Sequence, residues 1–62
     1  MTIRITAITP DGERRQHPST NENGHVELVT LEDGSFQVIG ELRSGRRQLL
    51  AEYPVGTEFI VQ

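Results

Sequence analysis

The 62-residue chain has no cysteine, no lysine and no tryptophan, and only three aromatic residues. Without cysteine no disulfide can brace it, which suits a reducing compartment. A chain this short buries only about 60% of the surface it exposes when unfolded, so its stability margin is thin. One small β domain, residues 1–62, is expected. No apolar run exceeds three residues, far below the roughly 20 that a membrane helix needs. Met1 leads straight into Thr2-Ile3-Arg4-Ile5-Thr6, without a basic stretch followed by an apolar one. No signal peptide is expected, and the expected location is cytoplasmic. All six basic residues are arginine, against nine acidic ones, for a net charge of −3. Domains that live on a nucleic-acid backbone usually carry a strong basic excess, which this chain lacks.

Turn chemistry is abundant. Thr9-Pro10-Asp11-Gly12 sets φ with proline and reverses it with glycine, as a three-residue hairpin loop requires. Asp33-Gly34 and Ser44-Gly45 are two further hairpin signals. Tyr53-Pro54-Val55-Gly56 repeats the proline-then-glycine spacing, and Asn23-Gly24 marks a fifth break. Between these breaks residues 2–8, 13–17, 25–31, 35–42, 46–53 and 57–62 read as strands. Connections this short favour antiparallel pairing. The expected fold is all-β, a small antiparallel meander of five to six strands rolled into a compact barrel or curled sheet. Residues 46–53 carry a helical alternative, with Ser44 as cap and Pro54 as stop, but eight residues make a marginal helix. The polar stretch 16–24 reads as the longest loop.

Alternation assigns one apolar face to Ile3, Ile5, Ala7, Val26, Leu28, Phe36, Val38, Leu42, Leu49, Ala51, Tyr53, Phe59 and Val61. Ile8, Val29, Leu31, Ile39, Leu50 and Ile60 fall on the opposite parity. Bulges shift parity by one, so some of these can return to the core. The rest would form an exposed apolar surface, the mark of an interaction site. The candidate interface is therefore Val29, Leu31, Ile39, Leu50 and Ile60, with a second copy placed ahead of a foreign protein. Gly40, inside a strand, reads as a bulge or bend.

Candidate chemistry is sparse. His17 and His25, even with Asp11 and Glu22, lack the close spacing of metal ligands, so no metal or cofactor is expected. Ser19, Ser35 and Ser44 sit in or beside turns, and no Gly-x-Ser-x-Gly elbow accompanies them. No phosphate loop or catalytic pair stands out, and a non-enzymatic role is expected. Arg14, Arg15, Arg43, Arg46 and Arg47 form two basic clusters. They would make one anion- or partner-binding patch if their hairpins lay at the same end. Stacking platforms for bases are scarce, since Phe36 and Phe59 read as core and only Tyr53 is left.

The size, the turn spacing and the ending Pro54-Val55-Gly56-Thr57-Glu58-Phe59-Ile60-Val61 resemble the general run of small SH3-like barrels. In size and composition the chain also resembles small phage-encoded and bacterial accessory proteins that act by binding a larger machine. The expected function is a protein-interaction module, an accessory or inhibitor protein, with homodimerisation expected. A small nucleic-acid-binding barrel using the arginine tips is the alternative.

Overall fold

The computed structural model describes residues 4–20 and 23–62. Ile3 and Glu22 lie outside them. The chain runs through β1 (Arg4–Ile8), β2 (Arg14–Pro18), β3 (Asn23–Thr30), β4 (Phe36–Leu42), β5 (Arg47–Tyr53) and β6 (Glu58–Val61), with no helix among the described residues. Residues 46–53 therefore resolve as strand. Among the described residues no helix is long and apolar enough to cross a membrane.

The strands form two antiparallel three-stranded sheets, ordered β2–β1–β6 and β3–β4–β5. The architecture is all-β, but it is neither one continuous meander nor a closed barrel. β2 and β3 are not paired, and β6 returns to pair with β1. β1 of one sheet approaches β3 of the other.

Three of the turns share one geometry. In each three-residue loop the glycine N–H donates to the carbonyl three residues back: Gly12 to Thr9 at 2.9 Å, Gly34 to Leu31 at 3.0 Å and Gly45 to Leu42 at 2.9 Å. The same residues Thr9, Leu31 and Leu42 donate their N–H to the carbonyls of Glu13, Ser35 and Arg46. The glycines have φ of 87–90°, as a type I turn closed by a glycine bulge demands. Asp33 Oδ1 accepts from the Ser35 N–H and hydroxyl, at 2.9 and 2.5 Å. Those bonds hold its carboxyl below the usual carboxylate range.

The fourth turn differs from the expected repeat. Thr57 N–H donates to Pro54 O at 3.3 Å, and Gly56 has φ 94° in the third position. That is the signature of a type II turn with proline at its first position. Asn23-Gly24 is also corrected. It is no turn; it opens β3, where the register slips between Asn23 and His25.

The core between the sheets is small. Ile5, Ala7, Val26, Val38 and Tyr53 are buried, with Leu28, Phe36, Leu50, Ala51 and Phe59 packed against them. Four rings cross it in a zigzag. His17 meets Tyr53 (centroids 5.7 Å apart), Tyr53 meets Phe59 (5.7 Å), and Phe59 meets Phe36 (4.8 Å), all edge-to-face. These rings come from β2, β5, β6 and β4, so every contact bridges one sheet to the other. Such pairs add about 0.5–1.5 kcal/mol each beyond simple burial.

Candidate functional site

The decisive local event lies in β5. Val38 pairs with Ala51, but Ile39 pairs with Leu49. Leu50 is the extra residue, and the bulge reverses the parity on either side of it. Leu50 therefore joins the core. Leu49, assigned to the core face by alternation, points out and is 49% exposed. Gly40 is buried in a regular pairing with Val26 and Gln48. The irregularity assigned to it lies across the ladder at Leu50.

The outward surface of β3–β4–β5 follows from that register. One row carries Val29, Gln37 and Glu52, the next Glu27, Ile39 and Leu49, and the third His25, Glu41 and Arg47. Val29, Ile39 and Leu49 form an apolar patch at its centre, with a shallow depression of about 310 Å³ lined also by Gln37, Arg47 and Gln48. Polar pairs frame it. Arg47 Nη2 donates to Glu27 Oε2 at 2.8 Å, across the central strand. Gln37 Nε2 donates to Glu52 Oε1 at 3.4 Å.

Of the five residues expected at an interface, only Val29 and Ile39 share this face. Leu50 is in the core. Ile60 projects from the other sheet, opposite Thr6, and is 44% exposed. Leu31 closes the β3–β4 loop. It lines a separate depression of about 430 Å³ with Asp33, Ser35, Phe36, Glu52, Tyr53 and Pro54. Leu49 is the outward apolar residue that alternation missed. No signal in its own neighbourhood distinguishes it from Leu50, because the bulge is set by the pairing with β4.

The arginine clusters are not brought together. The first hairpin tip meets the β5–β6 turn, where Pro10 Cγ lies 3.4 Å from the Cβ position of Gly56. That turn in turn abuts the β3–β4 loop, where Val55 Cγ2 lies 3.4 Å from the Cβ position of Gly34. Arg14 and Arg15 therefore adjoin the end where β4 begins, while Arg43 and Arg46 flank the loop where β4 ends. Two of the five are also paired with carboxylates, Arg15 with Glu13 at 2.8 Å and Arg47 with Glu27. Tyr53 is only 5% exposed and offers no stacking platform.

His17 is not a solvated loop residue. His17 lies in β2, and its Nε2 is 2.5 Å from the Tyr53 hydroxyl. Burial, with the Arg15 guanidinium second, holds its pKa below the ordinary 6.5. Burial also pushes the Tyr53 phenol up, against the pull of Arg15. His25 shares the third outward row with Glu41 and Arg47. Among the described residues no group of three or more histidine, aspartate or glutamate side chains is placed to hold a metal ion. The Ser35 hydroxyl donates to Asp33 within its own turn. No family model, curated protein or solved structure matches the chain.

Proposed function

We propose that this chain is a non-enzymatic protein-interaction module that works through the outward face of β3–β4–β5. The observation that carries the reading is the contiguous Val29–Ile39–Leu49 patch, framed by the Glu27–Arg47 and Gln37–Glu52 pairs. An apolar centre with a polar rim is the anatomy of a protein interface. The small core gives a physical motive, since covering this patch adds burial that a 62-residue chain cannot find within itself. The strand connectivity supports an SH3-like reading of the fold: a three-stranded meander with a tight turn that returns the last strand to the first. The role fits a small cytoplasmic accessory or inhibitor protein of bacterial or phage type. The nucleic-acid alternative draws less support, because its arginines lie at opposite ends of β4 and two of them are tied to glutamates.

The test is crosslinking in the cells that make the protein, comparing the native chain with Ile39→Asp. The expected result is loss of the crosslinked complexes with the fold retained. An unchanged set of complexes would overturn the reading.

A further inference from the structure

We infer that the depression beside the β3–β4 loop is a docking groove for an arginine side chain on an exposed basic segment of a partner protein. It lies at the end of the second sheet where β4 begins, and it does not need the Val29–Ile39–Leu49 patch. The groove, of about 430 Å³, has two kinds of lining. Leu31, Phe36, Tyr53 and Pro54 supply apolar surface, and Asp33 and Glu52 supply carboxylates. Both acidic residues are exposed, and no arginine lines the groove. The bonds that keep Asp33 ionised come from Ser35, and no cation contributes. Glu52 accepts a long bond, 3.4 Å, from the neutral amide of Gln37.

The charge around the groove has the same sign. The β1–β2, β3–β4 and β5–β6 loops meet at this end of the molecule. They and the strand ends beside them carry Asp11, Glu13, Glu32, Asp33, Glu52 and Glu58, six of the nine acidic residues. Of the six arginines, Arg14 and Arg15 adjoin them, and Arg15 is tied to Glu13. A chain of net charge −3 thus gathers its negative field around an opening with apolar walls, and such a field draws in cations. Among the described residues no group of three or more histidine, aspartate or glutamate side chains is placed to hold a metal ion, so the fitting cation is an organic one. An arginine meets both linings at once. Its methylene stem lies along apolar surface while its head stays in water. Its planar guanidinium stacks on aromatic rings and forks to carboxylates. A lysine ammonium, a compact and strongly hydrated point charge, gains less from the same surroundings.

The experiment is an NMR titration of the isotope-labelled full chain with acetylated glycine peptides that carry one central arginine, lysine or citrulline. Citrulline keeps the shape of arginine without its charge. The arginine peptide is expected to shift the amides of Ser35, Phe36, Glu52 and Tyr53 saturably, the lysine peptide to bind more weakly, and the citrulline peptide not to bind. Asp33→Asn and Glu52→Gln keep the size of each side chain, and asparagine retains the turn chemistry of Asp33. Each should weaken the arginine peptide about threefold, with circular dichroism as the check on folding. Asp11→Asn removes the same charge outside the groove, and Ile39→Asp alters the apolar patch. Each of these should change the affinity by less than about twofold. Groove amides that do not move, lysine or citrulline bound as tightly as arginine, or groove variants that bind like the native chain would each overturn the inference. So would an equal loss in Asp11→Asn or Ile39→Asp. The crosslinking result decides the patch, and this titration decides the groove.

Discussion

In the β2–β1–β6 sheet the outward row through Thr6 carries Gln16 on one side and Ile60 on the other; in the β3–β4–β5 sheet the row through Ile39 carries Glu27 and Leu49. The first sheet hides its central residue among neighbours, and Thr6 is only 6% exposed. Its edge strand β2 is polar, Arg14-Arg15-Gln16-His17-Pro18, and joins the core through His17 alone of its side chains. The second sheet has longer strands, a bulge, and an apolar patch facing out. Edge strands in small proteins are commonly guarded by charge and proline, and β2 fits that pattern. The difference teaches that the same turn chemistry can serve a sheet with a polar edge and a sheet with an outward apolar patch. What separates them is which residues the pairing turns outward.

The sharpest way to break this comparison uses the two neighbouring leucines of β5. Leu50→Asp puts an unpaired charge beside the core, which costs several kcal/mol and is expected to abolish cooperative thermal unfolding. Leu49→Asp, one residue earlier, is expected to change monomer stability by no more than about 0.5 kcal/mol. Similar melting behaviour for the two variants would show that the bulge is misplaced.

A second, smaller effect tests the link between the sheets. Phe59→Ala removes the ring that touches both Tyr53 and Phe36. The expected loss is about 3 kcal/mol, read from denaturant unfolding. A loss below about 1 kcal/mol would mean that the aromatic zigzag contributes little beyond ordinary contact.

The smallest effect is a pH dependence located at β2. His17 faces Tyr53 across the interface and Arg15 along its own strand, with Glu13 paired to that arginine. Its folded pKa lies below the unfolded value of 6.5, so the native state binds its proton less tightly. The stability it contributes is present above pH 6.5 and is lost as the pH falls through the folded pKa. His17→Gln should flatten that part of the stability profile and cost about 1 kcal/mol at neutral pH through the lost hydrogen bond. An identical slope in the variant would place the titration elsewhere.

Much of the fold was legible because turns are local. Pro10-Asp11-Gly12, Asp33-Gly34 and Ser44-Gly45 specify their geometry within five residues, and each loop closes as its chemistry requires. Pro54 and Gly56 misled, because one residue of offset converts a glycine-bulge loop into a type II turn. Asn23-Gly24 misled because a bulge at a strand opening uses the same residues as a turn.

The sequence by itself determined six extended segments, antiparallel neighbours and the choice of Ile5, Ala7, Val26 and Val38 for the core, since alternation and turn residues act over a few positions. Tertiary structure alone decided that β6 joins β1, that the arginine clusters lie apart, that His17 finds Tyr53, and that Leu50 goes in while Leu49 comes out. Those outcomes depend on contacts between residues far apart in the chain. The bulge in β5 arises only when Ile39 and Val38 are already in place opposite it, and with it arises the outward Val29–Ile39–Leu49 patch.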